Sequence, residues 1–112
     1  MSFNIGEFEK LVGEFDDDAE IKTYGYEVAY RSNRRNDLAR AFNIAIRERE
    51  ATPHFKVKTG TCDMNVVGPV WKCPIVAYGP GDSSLDHTPN EHIQLSEFRD
   101  AISVLTQVVS GL

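Results

Sequence analysis

The amino-acid sequence predicts an α/β fold in which a small sheet is flanked by helices. Segments with the apolar spacing of helices alternate with segments rich in β-branched and aromatic residues, and most connections between them are short. The chain has 112 residues, 41% hydrophobic and 26% charged, which is the composition of an ordinary globular domain. One hydrophobic core is therefore expected.

A helix is predicted first, over residues 4–16, followed by a strand. Apolar residues recur there at helical spacing: Phe8, Leu11, Val12 and Phe15. Asn4 and Glu7 resemble a capping pair, and the acidic run 16–18 ends the helix because carboxylates oppose the negative end of its dipole. Residues 20–30 are β-branched and aromatic without a helical stripe, which predicts a strand.

The middle of the chain predicts a second helix, at 37–49, and a second strand. The apolar stripe of this helix consists of Leu38, Ala41, Phe42, Ala45 and Ile46. Pro53 closes the helical segment, since the residue before a proline disfavours helical geometry. Residues 54–58 alternate between apolar and polar side chains, as a half-buried strand does.

The C-terminal half predicts a helical turn at 63–67, a buried strand at 73–79 and a last helix. The strand is a continuous apolar run bounded by proline and glycine. Ser96 is the expected N-cap of the helix, which ends near Gly111. Its inward residues are predicted to be Phe98, Ala101, Ile102, Leu105 and Val109. Residues 79–94 are predicted to form a loop, and a loop of this length in a small domain is usually functional.

Charge and cysteine content narrow the possible functions. The net charge of −5 argues against nucleic acid as the main partner. No segment is apolar enough to span a membrane, and no signal sequence is visible at the N-terminus, so a cytoplasmic protein is expected. Cys62 and Cys73 are expected to be free thiols in that reducing compartment.

The loop is the candidate functional segment because it contains two of the three histidines. His87, Glu91 and His92 resemble a ligand set, but Pro89 disturbs the helical spacing of His87 with Glu91. His87, His92 and Asp86 could still form a self-contained metal site in a folded loop, although a catalytic zinc requires three firmly placed ligands. The alternative is a polar surface loop whose short side chains bond to nearby backbone amides. The residues of the loop alone leave both interpretations open.

Two motifs favour a functional loop over a polar surface loop. The segments KTGTCDMN (58–65) and YGPGDSSLDHTPNE (78–91) closely resemble the C-terminal part of the dinuclear zinc amidohydrolases, and residues 29–48 extend the resemblance. That family includes acetylornithine deacetylase, succinyl-diaminopimelate desuccinylase, aminoacylase and glutamate carboxypeptidases. The pattern is most similar to its archaeal acetyl-lysine deacetylase branch.

The resemblance implies that His87 is a ligand of a zinc or cobalt ion, one of two in the whole enzyme. Asn90 and Glu91 complete the histidine motif and would support the loop that holds this imidazole. Gly60 and Thr61 would face the substrate.

Asp63 would cap the helical stretch that follows it. The implied activity is release of lysine or ornithine from an N-acyl form or from an amino-group carrier protein, in lysine or arginine biosynthesis. A homo-oligomer is expected, because the apolar faces of a severed domain favour self-association.

This sequence also departs from the family pattern. The H-x-D motif, the bridging aspartate and the paired glutamates that build the family's metal centre are missing from this sequence. Residues 1–29 resemble the end of a lid or dimerisation domain, and residues 30–112 the end of the catalytic domain. We therefore expect a C-terminal fragment that is inactive alone. The alternative is a stand-alone binding or oligomerisation module that has lost the chemistry.

Overall fold

Helices make up all the regular secondary structure in the described part of the chain. The computed structural model of the protein describes residues 5–15, 22, 24, 25, 27–58 and 60–112. Within these ranges there are four helices: α1 (Ile5–Gly13), α2 (Asp37–Arg47), α3 (Asp63–Trp71) and α4 (Leu95–Ser110). None of the helices in these ranges is long and apolar enough to cross a membrane.

The predicted α/β fold with a small sheet is wrong, because the described residues contain no strand. Segments 54–58 and 73–79 are neither helical nor paired with a strand there, and Phe55 and Val57 remain 56% and 83% exposed. Alternating or continuous apolar residues favour an extended backbone, but a strand also requires a second strand for its hydrogen bonds. The strand predicted at 20–30 lies partly outside the described residues, and its described residues form no strand.

Helix α2 (Asp37–Arg47) confirms the helix predicted at 37–49. The side chain of Asn36 caps its start, since Oδ1 accepts the Ala39 N–H at 2.8 Å. Asp37 lies in the first turn and Arg47 in the last, where each charge opposes the nearby partial charge of the helix dipole. The side chain of Gln107, on α4, donates to the Glu48 carboxylate just beyond the end of α2.

Helix α4 begins one residue before the predicted cap. Gln94 occupies the N-cap position, and Ser96 is already inside the helix, so the prediction that Ser96 caps it is wrong. The predicted end is confirmed, because the N–H of Gly111, at the C-cap, donates to the carbonyl of Val108 at 3.1 Å.

The core lies between α2 and α4, which are the only described helices that pack against each other. Its buried residues come from both helices: Ala39, Phe42, Ala45, Ala101, Val104 and Val108. The predicted inward face of α4 is therefore wrong except at Ala101, because the helix turns Val104 and Val108 toward α2 and leaves Phe98, Ile102, Leu105 and Val109 46–61% exposed. Phe42 also contacts the ring of Tyr78 at a centroid distance of 4.9 Å, and burial raises the pKa of the Tyr78 hydroxyl. The segment after α3 is thus packed onto the helix pair.

Helix α3 is longer than the predicted turn at 63–67. It continues through Pro69 and ends at Trp71, where Lys72 adopts a left-handed conformation with φ of 53°. Gly68 is buried beneath the Tyr30 ring. Trp71, at the end of this helix, is 66% exposed.

Candidate functional site

The candidate site is the loop that connects the segment after α3 to α4. From Asp82 to Glu91 it forms three consecutive turns. In each, a backbone N–H bonds to the carbonyl three residues earlier, at 3.0–3.1 Å, and these pairs are Leu85 with Asp82, Thr88 with Leu85, and Glu91 with Thr88. The loop therefore has a defined backbone course without being helical.

Side chains reinforce the first and second turns. The carboxylate of Asp82 accepts the Ser84 N–H at 2.9 Å, and the Thr88 hydroxyl donates to the Leu85 carbonyl at 2.8 Å. The hydrogen bond from the Ser84 backbone, followed by the one from its hydroxyl, holds the pKa of the exposed Asp82 carboxyl below its usual value. These contacts are the ones expected of a polar surface loop.

His87 has an unusual backbone conformation within this series of turns. Its φ is 63°, in the left-handed region that non-glycine residues seldom occupy. The backbone N–H donates to the Glu91 Oε2 at 2.9 Å, and the residue is exposed to solvent. This hydrogen bond links the second turn to the third, so Glu91 stabilises the backbone from which the imidazole projects.

The second histidine of the loop is positioned differently. Nδ1 of His92 lies 2.7 Å from the backbone carbonyl oxygen of Asn90, and since a carbonyl can only accept, that nitrogen carries the proton. In its neutral form His92 therefore has only Nε2 free to accept a proton or bind a metal.

Lys58 and Asp86 connect the loop to the segment before α3. The Nζ of Lys58 lies 2.9 Å from the Asp86 Oδ2, and both side chains are partly exposed. The carboxylate next to His87 is thus paired with an ammonium group. The same contact brings the KTGTCDMN motif alongside the loop that holds the histidine.

Gly60 and Thr61 are exposed at the start of α3. Cys62 occupies the N-cap position of this helix and Asp63 is its first residue, so Asp63 lies in the first turn and does not cap the helix. The capping side chain is that of Asn65, whose Oδ1 accepts the Cys62 N–H at 3.0 Å. The sequence signal for this contact is the amide three residues after the cap, which sequence reasoning missed.

Asn65 also connects α3 to the preceding chain. Its Nδ2 donates to the Val28 carbonyl at 2.8 Å, and nearby the Ser32 hydroxyl donates to the Ile75 carbonyl at 2.7 Å. The first contact holds the start of α3 to the chain before α2, and the second holds that same part of the chain to the segment after α3. Cys62 and Cys73 are free and exposed thiols, as predicted.

The described residues do not form a complete metal site. Across these ranges, no three His, Cys, Asp or Glu side chains lie together where they could hold an ion. The self-contained site of His87, His92 and Asp86 is therefore not formed there. The exposed imidazole of His87 can occupy one coordination position, and a hydrolytic centre needs further ligands.

Comparison with known families agrees with the two motifs. The model of Peptidase family M20/M25/M40 matches residues 2–111, and the chain belongs to this family.

Individual relatives narrow the comparison to one group of hydrolases. The chain is 52% identical to the "[LysW]-lysine hydrolase" of Deinococcus radiodurans over 94 residues, which are 84% of this chain and 26% of the relative. It is 54% identical over 84 residues to the "Putative [LysW]-lysine/[LysW]-ornithine hydrolase" of Thermococcus kodakarensis, covering 75% of this chain and 24% of that protein. The corresponding hydrolase of Sulfurisphaera tokodaii is 34% identical over 77 residues, 69% of this chain and 22% of the relative. The chain spans about a quarter of the length of these curated relatives.

Proposed function

We propose that this chain is the C-terminal part of a metal-dependent amide hydrolase that releases lysine or ornithine in amino-acid biosynthesis. Identity above 50% to relatives named as [LysW]-lysine and [LysW]-ornithine hydrolases supports this assignment. The substrate is an N-acyl amino acid or an amino acid linked to an amino-group carrier protein. The enzyme acts in the cytoplasm and forms a homo-oligomer.

The residues divide into a lid or dimerisation part at 1–29 and a catalytic part at 30–112. In the catalytic part, His87 provides one ligand to a zinc or cobalt ion. The supporting observation is the ordered turn series with its hydrogen bond from the His87 N–H to Glu91. Asn90 supports the same turn, since its carbonyl holds the next histidine. The bound metal supplies a Lewis acid that polarises the amide carbonyl.

Gly60 and Thr61 form part of the substrate site. Both are exposed, and the contact between Lys58 and Asp86 brings their segment to the loop of His87. A backbone N–H at Gly60 and a hydroxyl at Thr61 suit a carboxylate or acyl oxygen. Asp63 supports this segment from the first turn of α3.

Metal content and lysine release, measured together on the full-length protein, test the assignment. We expect His87→Ala to lose one equivalent of bound zinc or cobalt and to lower kcat at least a hundredfold. His92→Ala is the matched control, because this residue lies in the same loop and we expect its metal content to be unchanged. Full metal content in His87→Ala would contradict the role of His87.

A second measurement addresses the 112-residue chain itself. We expect no release of lysine from an N-acyl or carrier-linked substrate at any concentration of zinc or cobalt, because no three potential metal ligands lie together among the described residues. Metal-dependent turnover by this polypeptide would show that its ligand set is complete.

The alternative function is a stand-alone binding or oligomerisation module, which the many exposed apolar side chains favour. The two functions predict different coding sequence upstream of this segment. The hydrolase requires H-x-D and Glu-Glu motifs encoded in frame upstream of this segment, and the module does not.

A further inference from the structure

Lys58 and Asp86 join the two segments that the proposed function assigns to the active site. The Lys58 Nζ lies 2.9 Å from the Asp86 Oδ2, which is the geometry of a hydrogen bond between opposite charges. Lys58 belongs to the segment before α3, and Asp86 belongs to the loop before α4. The pair therefore connects two parts of the chain that lie 28 residues apart.

Each partner of this ion pair lies close in sequence to a residue of the candidate site. Asp86 directly precedes His87, so their Cα atoms are about 3.8 Å apart. Gly60 and Thr61, which we call the substrate segment, follow Lys58 by two and three residues, a reach of at most about 11 Å. With connections this short, the ion pair limits how far His87 can lie from the substrate segment.

The loop around His87 has its own internal hydrogen bonds, so a contact at one point positions all of it. Residues 82–91, which we call the His87 loop, form three successive turns, and the bond from the His87 N–H to Glu91 links the second turn to the third. These bonds lie inside the loop, whereas Lys58 contacts it from outside. The position of the loop relative to the segment before α3 therefore depends on this contact.

A second pair of opposite charges joins the same two segments. The pKa of the exposed Asp82 carboxyl is lowered first by hydrogen bonds from Ser84 and then by the nearby charge of Lys56. Lys56 lies two residues before Lys58, and Asp82 lies four residues before Asp86. Two lysines of one segment thus attract two carboxylates of the loop.

We propose that Lys58 and Asp86 are positioning residues, whose ion pair sets the distance between the His87 loop and the substrate segment. This inference rests on the proposed function, because a hydrolase that uses both must hold them at a fixed distance. A misplacement of reacting groups by about 1 Å lowers the rate about a hundredfold. The two side chains are 64% and 40% exposed, and an exposed ion pair contributes little to stability because water solvates both charges. Loss of the pair should therefore lower kcat and leave folding unchanged.

An exchange of the two side chains in the full-length protein tests this role. Lys58→Asp and Asp86→Lys each place like charges opposite each other, and the double variant restores an opposite pair made of the same two side chains. At equal metal content, we expect each single variant to lower kcat for lysine release at least about tenfold and the double variant to recover most of it. KM should stay within about threefold of the wild-type value, because the substrate segment itself is intact.

Lys72→Asp is the matched control. It makes the same change at an exposed lysine just beyond the end of α3, and we expect kcat to be unchanged.

Hydrogen exchange provides a measurement that depends neither on turnover nor on metal. In the metal-free proteins, we expect the amides of the His87 loop to exchange at least about threefold faster in each single variant, because the loop is no longer held from outside. The double variant should exchange at the wild-type rate. Mass spectrometry of peptides that cover residues 82–91 measures these rates.

Three results would overturn the proposal. Single variants with wild-type kcat and wild-type exchange would show that the contact positions nothing. A double variant no better than the poorer single variant would show that the two charges act separately, and recovery of kcat without any change in exchange would show that the pair acts through its charge and not through position. A wild-type protein that releases no lysine would instead refute the proposed function, and the exchange rates would still decide whether the ion pair holds the loop.

Discussion

Gly68 lies on α3 directly beneath the aromatic ring of Tyr30. A Cβ at this position would come within 2.4 Å of the Tyr30 Cζ, whereas a Cβ at Gly79 would meet nothing within 4 Å. The absence of a side chain at Gly68 therefore lets the segment around Tyr30 approach the helix. Glycine is otherwise the less favourable residue there, since alanine is preferred in helices by up to about 1 kcal/mol.

Because these two effects oppose each other, whether Gly68→Ala raises or lowers the free energy of unfolding depends on the presence of Tyr30. With Tyr30 present, we expect the substitution to lower the free energy of unfolding by about 1–2 kcal/mol, because the ring must move. In a Tyr30→Ala background the same substitution should raise it, because only helix propensity remains. Urea unfolding followed by circular dichroism measures both, with Gly79→Ala as the control. The same sign in both backgrounds would contradict the steric explanation.

Individual residues also show which contacts the sequence could predict. The motif predicts His87 as a metal ligand, and the structure shows that this residue is exposed. The caps were harder to predict, since Asn65 rather than Asp63 bonds at the start of α3, and Ser96 lies inside α4. A cap depends on where the backbone leaves the extended conformation, and a shift of one residue changes which side chain can reach the free N–H.

The helices α2 and α4 form the stabilising unit of the described chain. Phe42 and Ala45 on one helix meet Val104 and Val108 on the other, with Val76 packed against them. Ala39 and Ala101 are also buried on these helices.

Two valines on α4 allow the buried and exposed faces to be compared with identical chemistry. Val104 is 3% exposed and Val109 is 61% exposed. We expect Val104→Ala to lower the free energy of unfolding of the 112-residue chain by about 2 kcal/mol, from lost burial plus a cavity. Val109→Ala should change it by about 0.5 kcal/mol or less. Denaturant titration of the two variants is the measurement, and equal losses would show that α4 packs differently.

The elements differ in how well periodicity predicts them. Helices α1, α2 and α4 were predicted from their own sequence, because a helix satisfies its backbone hydrogen bonds within one segment. The strands at 54–58 and 73–79 were predicted wrongly from equally clear apolar patterns. A strand depends on a second segment for its hydrogen bonds, and no pattern within one segment states whether that second segment is present.

At the scale of the whole molecule, the chain is extended over 58 × 37 × 21 Å and exposes many large apolar side chains. The composition predicted one ordinary core, because 41% hydrophobic content is enough to form it. Composition reports how much apolar surface a chain carries but not how much of it the chain itself can cover.

This exposure leads to a prediction for the isolated chain. We expect the 112-residue protein to enhance the fluorescence of the dye ANS and shift its emission to the blue, because ANS binds exposed apolar surface. The full-length protein at equal concentration should give a much weaker signal. An isolated chain without dye binding would indicate that its apolar faces are covered by its own residues.

The three linked turns from Asp82 to Glu91 constrain how this loop can evolve. Each turn ends on the residue that begins the next, so one inserted or deleted residue would put every later amide out of phase with its acceptor. The side chains of Ser83 and Pro89, by contrast, take no part in this chain of hydrogen bonds. Natural variation is therefore free to exchange such side chains, while the number of residues between the two ends of the loop must remain the same.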